Sequence, residues 1–304
     1  MQKVLCLLYH RIHPVRDDIY HLTVSPKHFE EQIKYLKNHF PIFRFEEDWA
    51  EKREDGVVIT FDDGYEDNYE YALPILEKYK APATVFVATG YVDGKQEYWW
   101  DELARVLTGN REYPRQFDLQ DSLYHYTWET DSYEKRIDLV KSLHWLLRME
   151  SEVERANSWI TQLRSWAGIS PEGRRENLPM NREQLHELSS SQYITIGGHT
   201  VNHRSLGAKS LESQQYEIGA SVKYLERELG KEIEVFSYPF GSRMHFNQNT
   251  FEACRRHGIK KAASTLRGVW KIGCNPYIVP RMEVKDCSGE DFSKSVWQFW
   301  RYDG

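Results

Sequence analysis

The chain contains the stretch Val57-Val58-Ile59-Thr60-Phe61-Asp62-Asp63-Gly64, an apolar run that ends in two adjacent carboxylates and a glycine. Such a run is typical of a strand buried on both faces of a parallel sheet. In a regular strand Asp62 and Asp63 would point to opposite sides. Because Gly64 allows the chain to turn, we expect both carboxylates to approach one site. Asp-Asp-Gly is also good turn sequence, so a simple turn or helix cap is the alternative for this stretch alone.

Similar apolar runs recur along the chain, and helical patterns separate them. The patterns predict strands at 4–9, 57–61, 83–88, 193–196, 234–238, 261–264 and 277–279, and helices at 25–38, 65–80, 210–229, 247–257 and 290–300. Strands that alternate with helices indicate an α/β protein with a parallel sheet or barrel. The ends of such strands carry the active face of an α/β barrel.

A long polar segment at about 98–181 interrupts this alternation. It is mainly helical in pattern and rich in tryptophan, and Leu139, Leu143, Leu146 and Leu147 form a helical stripe. We interpret it as an insertion beside the barrel mouth. Either a lid that selects the substrate or a structural flap would fit. Since α/β barrels of this size are usually one domain, we expect residues 1–304 to form a single domain that contains the insertion.

A second motif follows another apolar run and a Gly-Gly pair: His199-Thr200-Val201-Asn202-His203. Residues four apart share one face of a helix, although a loop could also bring the two imidazoles together. One Asp and two His make a three-ligand set for a catalytic zinc-type metal, with a position open for water. The remaining Asp is then free to act as a base. A His-x-x-x-His pair also occurs by chance, and its combination with the Asp pair is what favours function.

Three stretches in order, Thr60–Gly64, His199–His203 and Tyr238–Gly241, resemble the successive motifs of the polysaccharide deacetylases, the NodB-homology family of carbohydrate esterases (family 4). The resemblance covers most of the chain outside the insertion. It implies a distorted (β/α) barrel, usually with seven strands. It also implies metal-dependent removal of acetyl groups from the N-acetylated sugars of a polysaccharide or glycan precursor.

The same resemblance assigns roles to five residues. Asp62 would be the general base, and Asp63, His199 and His203 would bind a divalent metal ion. The backbone N–H of Phe240 would help to stabilise the oxyanion. Zinc is the first expectation for the metal, although cobalt, nickel or iron would also suit two His and one carboxylate.

The sequence departs from the commonest family pattern at Ser237. The family often has an arginine there, two residues before the proline, and that arginine usually holds the base. The best substitute in this chain is Arg281, which follows Val279-Pro280 and the last predicted short strand. Its planar guanidinium suits a carboxylate. A surface arginine is the alternative interpretation.

The late histidine that usually serves as general acid in the family is also missing, since no His follows His257. Near its N-terminus the chain instead contains Leu8-Tyr9-His10-Arg11. This is similar to the permuted poly-N-acetylglucosamine deacetylases, in which an N-terminal His is the acid. We therefore expect His10 to be the acid rather than a core histidine. His13 is the rival candidate. If the strand continued past His10, His13 would point to the opposite face, three residues on. Pro14 indicates that the strand does not continue that far.

The bulk composition excludes several classes of protein. A formal net charge of −6 gives no basic field for nucleic acid. There is no GxGxxG, phosphate-cradling loop or GxSxG elbow, which disfavours nucleotide enzymes and serine hydrolases. No segment approaches the length of a membrane helix. With no signal peptide pattern and no CxxC among the cysteines, we expect reduced thiols and a cytoplasmic location, although the last three cysteines leave a disulfide open.

Two alternatives to a deacetylase remain at this point. Ser237 stands where the family often has arginine, and the late histidine is missing. Both departures would fit a barrel that has lost catalysis and binds carbohydrate through its aromatic residues. A related amide hydrolase, such as an amino-sugar deformylase, would use the same ligand set. The sequence is silent on oligomeric state, on the sugar and on its linkage.

Overall fold

The computed structural model describes residues 2–14 and 18–302. It divides into two compact units, Met1–Asp93 with Pro179–Gly304, and Gly94–Leu178. The strands are β1 (Lys3–Tyr9), β2 (Arg11–Ile12), β3 (Thr23–Val24), β4 (Ile42–Phe43), β5 (Gly56–Phe61), β6 (Ala83–Val87), β7 (Gln116–Gln120), β8 (His125–Glu129), β9 (Ile194–Gly198), β10 (Val235–Ser237), β11 (Lys261–Ala263), β12 (Trp270–Lys271) and β13 (Arg281–Glu283). The helices are α1 (Pro26–His39), α2 (Leu73–Tyr79), α3 (Trp99–Thr108), α4 (Tyr133–Met149), α5 (Val153–Ala167), α6 (Arg182–Ser190), α7 (Leu211–Leu229), α8 (Gln248–Arg256) and α9 (Gly289–Tyr302).

A curled sheet organises the first unit, with nine strands among the described residues. Its order is β11-β10-β9-β6-β5-β1, all parallel, and β13 pairs parallel to the other edge of β1. An isolated bridge between Ala263 and Val279 links β11 to the segment before β13. Seven strands therefore follow the curl, and the short strands β4 and β12 add to it. This confirms the distorted (β/α) barrel expected from the sequence.

The strand register brings several chain segments to one edge of the sheet. Tyr9, the last residue of β1, lies opposite Phe61, the last residue of β5. Val87 at the end of β6 lies opposite Gly198 at the end of β9. The residues that come directly after these strands, among them His10, therefore emerge at the same edge.

Strand β5 is buried on both faces, as its apolar run predicts. Val57, Ile59 and Phe61 belong to one hydrophobic cluster, whereas Val58 belongs to another. All six residues of the strand are buried. The strand therefore gives a fixed base to the two carboxylates that follow it.

Two helix starts illustrate how local sequence sets the boundaries. Asn181 and Gln184 form a reciprocal capping box at the start of α6, with both hydrogen bonds at 2.9 Å. Ser25 and the following proline begin α1. The Ser25 hydroxyl, however, donates to Asp286 at 2.9 Å and makes no cap bond to its own helix.

Two details differ from the predicted elements. The strand expected at 277–279 is absent from the described chain, where Val279 makes only a single bridge and the strand begins at Arg281. Pro280 separates the two because it has no N–H for a ladder. The predicted helix 65–80 contains a π-helical turn, Asn68–Ala72, ahead of α2. Such turns recur at functional sites.

The second unit contains α3, α4 and α5 together with a hairpin of β7 and β8 that the helical pattern did not predict. In β7 the side chains alternate between exposed and buried, with Phe117 and Leu119 inside. This period of two is the signature of a strand, and the surrounding helical stripes concealed it. A role as lid or flap stays a prediction.

Two further findings concern the whole described chain. All four cysteines, Cys6, Cys254, Cys274 and Cys287, are free thiols. Within residues 2–14 and 18–302, no helix has both the length and the apolar character needed to cross a bilayer.

Candidate active site

The turn after β5 sets the directions of Asp62 and Asp63. The Asp62 N–H continues the ladder by donating to the Tyr9 carbonyl at 3.0 Å. Asp63 then adopts a φ of +75° and Gly64 a φ of +87°. The left-handed backbone begins at Asp63 itself, one residue before the glycine on which the sequence argument rested. Both carboxylates are buried, and the turn keeps them at one site as expected.

Asp63 lies between the two histidines of the second motif. Its Oδ1 atom is 3.3 Å from Nε2 of His199 and 3.1 Å from Nε2 of His203. One possible ligand atom from each residue lies within 4.8 Å of the others, and all three side chains are buried. The structure thus brings together the three residues that the family resemblance assigned to the metal.

The His-x-x-x-His segment is a loop and not a helix. Thr200 has a φ of +66° and His203 a φ of +48°. The Thr200 hydroxyl accepts from the His203 N–H at 3.0 Å, and its carbonyl accepts from the Thr89 N–H at 3.0 Å. The loop therefore brings the imidazoles together, with ring centroids 4.8 Å apart.

The donor set fits a divalent metal ion. Two imidazole nitrogens and one carboxylate oxygen form the three-ligand arrangement of catalytic zinc sites. His199 donates from Nδ1 to the Ser237 carbonyl at 2.7 Å, so Nε2 is the nitrogen that faces Asp63 and that a metal ion would take. This outer hydrogen bond fixes the tautomer in the way that metal-binding histidines usually require.

The charges around Asp63, His199 and His203 also suit the binding of a metal ion. Burial raises the pKa of Asp63, but the charges and hydrogen bonds of His203 and His199 outweigh it and hold this pKa far below its usual range. Burial lowers the pKa of His203 against the opposing charge of Asp63. Burial acts in the same way on His199, but the nearby carboxylates reverse the effect and raise its pKa. A metal ion would displace the His199 proton on binding.

Asp62 is held by a dense buried network. Arg281 donates from Nη1 to Oδ1 at 2.8 Å and from Nη2 to Oδ2 at 2.7 Å. The Ser237 hydroxyl donates to Oδ2 at 3.1 Å and accepts from Arg281 at 2.9 Å. Arg281 also donates to Thr60 Oγ1 at 3.1 Å and to the Ser264 carbonyl at 2.8 Å. Arg281 is therefore a buried partner of Asp62 and not a surface residue.

This network keeps Asp62 ionised. Burial by itself raises the pKa of Asp62, but the charges of Arg281 and His199 outweigh it and set the pKa below the usual range. The charge of His10 acts in the same direction on Asp62. An ionised carboxylate beside the candidate metal ligands is chemically able to accept a proton from water.

His10 follows β1 at the same edge of the sheet and is partly buried. Its carbonyl accepts from Asn68 Nδ2 at 2.8 Å, and the same amide donates to Asp67 Oδ1 at 3.0 Å. Asp67 in turn pairs with Arg11 at 2.9 Å and accepts from the Ile12 N–H at 3.1 Å. The segment after β1 is thereby tied to the start of the π-helical turn.

The rival His13 has different surroundings. The His13 ring packs edge-on against that of Tyr71, with 5.5 Å between centroids. The backbone N–H of His13 donates to the Val24 carbonyl at 3.0 Å. His10, by contrast, contributes to the electrostatic environment of both Asp62 and Asp63. His10 is thus close enough to both carboxylates to affect them, and its choice as the acid over His13 stays a prediction.

Phe240 also lies at the site. Phe240 and Gly241 have φ values of +61° and +55°, and the Phe240 carbonyl accepts from the Thr265 hydroxyl at 2.7 Å. The Phe240 ring packs 4.9 Å from that of His203 and 5.2 Å from that of the buried His245. The predicted oxyanion residue therefore adjoins one metal-ligand candidate.

Sequence reasoning missed several residues that shape the site. Ser237 counted only as a departure from the family pattern, yet it bonds both Asp62 and Arg281. Glu217 accepts hydrogen bonds from the loop between His199 and His203. It could have been noticed as an acidic residue within the buried stripe of α7. Asn68 had no signal, because it lies inside an ordinary helical pattern.

The comparisons with known proteins agree with this geometry. The model of the polysaccharide deacetylase family matches residues 50–111 and 148–262, more than half of the chain. The chain belongs to the polysaccharide deacetylase family. Members of this family hydrolyse N-acetyl amide bonds and depend on a metal ion, and this chain has a possible Asp/His/His metal site.

Individual relatives show how far the similarity extends. A poly-β-1,6-N-acetyl-D-glucosamine N-deacetylase of Staphylococcus aureus (strain MSSA476) is 24% identical over 294 residues, which cover 94% of this chain and 74% of that protein. The Streptococcus pyogenes deacetylase PplD, solved with acetate, aligns at a TM-score of 0.60 with 20% identity over 96% of this chain and 97% of its own. IcaB from Ammonifex degensii aligns at 0.61 with 18% identity over 98% and 97%. These two structures share the fold.

Proposed function

We propose that this chain is a metal-dependent N-deacetylase that removes acetyl groups from a β-1,6-linked N-acetylglucosamine polymer. The observation that carries the proposal is the buried Asp62 carboxylate, held by two hydrogen bonds from Arg281 and next in the chain to Asp63, which clusters with His199 and His203. The substrate class comes from the Staphylococcus aureus relative. Zinc is the metal we expect first, since two nitrogens and one oxygen are a common catalytic zinc set.

A divalent metal ion held by Asp63, His199 and His203 would act as a Lewis acid toward the acetamide carbonyl and lower the pKa of water. The chain's own residues supply the proton transfers. Asp62 accepts a proton from the water that attacks the carbonyl carbon, and Arg281 keeps that carboxylate ionised and in place. The Phe240 N–H donates to the oxygen on which negative charge develops.

Breaking the C–N bond needs an acid. An amine leaves poorly as an anion, so His10 gives a proton to the amide nitrogen as the bond breaks. The products are acetate and a free amine on the sugar. One proton taken by Asp62 and one given by His10 balance each turnover, and proton exchange with solvent restores both groups.

The carbohydrate-binding alternative fits the site less well. A pure binding barrel has no need for an ionised base beside a three-ligand set. It has equally little need for a buried arginine that donates to both oxygens of that base. A deformylase would use the same atoms, so only the product separates it from a deacetylase.

The test measures metal and product together. Purified chain is assayed for bound zinc, and acetate and free amine are quantified after incubation with β-1,6-linked N-acetylglucosamine oligomers. We expect about one ion per chain and equal amounts of acetate and amine. Asp62→Asn should keep the metal and lose turnover, whereas His203→Ala should lose both.

Matched substrates define the specificity. β-1,4-linked oligomers of the same length test the linkage, and N-formyl oligomers test the deformylase alternative. Acetate from neither linkage, with metal bound, would contradict the deacetylase proposal. Formate release in the absence of acetate release would favour the deformylase.

A further inference from the structure

A buried glutamate from α7 binds the loop between the two metal-ligand histidines. Glu217 Oε2 accepts from the backbone N–H groups of Val201 and Asn202, both at 3.0 Å. Its Oε1 accepts from Asn202 Nδ2, also at 3.0 Å. Successive backbone N–H groups that converge on one anionic oxygen form the concave arrangement known as a nest.

The loop that Glu217 binds has an unfavourable backbone. Thr200 and His203 lie on either side of the two bonded residues, and both have positive φ values of +66° and +48°. A β-branched residue such as Thr200 rarely adopts this region. Such a conformation is strained and persists only where the surroundings enforce it. The three hydrogen bonds that Glu217 accepts from Val201 and Asn202 help to hold the loop in this conformation.

Helix α7 gives the glutamate a fixed origin. The helix lies against β9, the strand that leads into the loop, and a Cβ added to Gly198 would come within 3.4 Å of the Ser221 hydroxyl. Glu217 is itself buried, and a buried carboxylate is costly unless it is hydrogen-bonded. The hydrogen bonds of Glu217 therefore fix the position of the loop at 200–203 relative to α7.

From these contacts we infer that Glu217 is a positioning residue that holds His199 and His203 in the geometry for metal binding. The inference rests on the proposed function, because it requires that Asp63, His199 and His203 hold a metal ion. Outer residues that orient ligands typically change metal affinity by about 10- to 100-fold when they are replaced. We expect an effect in that range.

The test uses Co(II) as the probe and the full chain. The affinity is measured by competition with a chelator, and the visible absorption of bound Co(II) reports the ligand geometry. Glu217→Ala should weaken binding by at least about tenfold and alter the absorption spectrum. Glu217→Gln should restore most of the affinity, because the amide oxygen can still accept from Val201 and Asn202. Glu212→Gln, an exposed change on the same helix, is the matched control.

A second variant keeps the test decisive. If Glu217→Ala does not fold, Glu217→Asp replaces it, since it keeps the charge and withdraws the oxygens from the loop. Unchanged affinity and spectrum in the folded variant, while His203→Ala abolishes binding, would overturn the inference alone. A wild-type chain that binds no Co(II) would overturn the proposed function and, with it, the inference.

Discussion

Arg281 and Asp62 are 219 positions apart in the sequence, yet the guanidinium donates to both carboxylate oxygens, at 2.8 and 2.7 Å. The topology explains the contact. Arg281 begins β13, which pairs with one edge of β1, while β5 pairs with the other edge and ends just before Asp62. Both groups are buried, so either would be an uncompensated charge without the other.

The first prediction concerns the pH dependence of turnover. Burial raises the pKa of Asp62 and Arg281 lowers it, with a net result below the usual range. Arg281→Met removes the charge and the hydrogen bonds of Arg281 and leaves only the charges of His199 and His10 against the burial, so the pKa should rise and the base should be protonated at higher pH. The acidic limb of kcat/KM should therefore move to higher pH, and its position is measured between pH 4 and 9 with the metal saturating.

Arg281→Lys provides the graded control. Lysine keeps a positive charge but cannot donate to both carboxylate oxygens as a fork. We expect a smaller shift of the acidic limb together with a fall in kcat of about 10²-fold, the cost of a misplaced catalytic group. An acidic limb that stays at the wild-type pH in both folded variants would show that Arg281 does not control the base.

The second prediction separates His10 from His13. His10→Ala should lower kcat by about 10²- to 10⁴-fold, the usual contribution of a general acid, without loss of metal affinity. His13→Ala should stay within a few-fold of wild type, because its ring packs against Tyr71. Both variants are assayed on the same oligomer and for bound metal. A large loss of kcat in His13→Ala alone would reverse the assignment.

The third prediction concerns the amide that binds the His10 carbonyl. Asn68→Ala removes the 2.8 Å hydrogen bond to that carbonyl and the 3.0 Å bond to Asp67. A hydrogen bond contributes about 1 kcal/mol, so kcat should fall by roughly fivefold with unchanged metal affinity. The comparison variant is Asn247→Ala, which removes the N-cap of α8 and should cost about 1 kcal/mol of stability without a change in kcat. Equal kcat values in the two variants would argue against a positioning role.

The elements and motifs that are local in sequence could be predicted. The apolar run of β5, the Asp pair after it and the capping box of α6 each depend on residues within a few positions of one another. The barrel followed from the alternation of strands and helices and from the family resemblance. The hairpin of β7 and β8 was missed because its short alternating pattern lies between strong helical stripes.

What could not be predicted depends on distant contacts or on unusual backbone. Asp63, Thr200 and His203 adopt left-handed backbone conformations in the turns that orient the side chains of the site. Sequence rules assign such conformations to glycine. The hydrogen bonds of Glu217 to its loop need the packing of α7 against β9, which periodicity does not give. The catalytic roles, the single domain and the cytoplasmic location stay predictions.

The fourth prediction tests whether the histidine loop needs close backbone contact with Gly90. The Gly90 N–H donates to the Val201 carbonyl at 2.9 Å, and a Cβ at Gly90 would lie 2.6 Å from that same oxygen. Gly90→Ala must therefore displace the loop that carries the two histidines, since the obstructing atom is backbone. We expect weaker Co(II) binding and a loss of about 1–3 kcal/mol in the free energy of unfolding, as in other overpacked sites.

Gly230→Ala is the matched control for Gly90→Ala. Gly230 ends α7 with a φ of +62° and has open space around its Cβ position. Alanine there should cost about 1–2 kcal/mol through its left-handed backbone and leave Co(II) affinity unchanged. Urea unfolding and Co(II) titration on both variants separate general destabilisation from loop displacement. Wild-type Co(II) affinity in folded Gly90→Ala would show that the loop tolerates the shift and that its contact with Gly90 does not set the metal site.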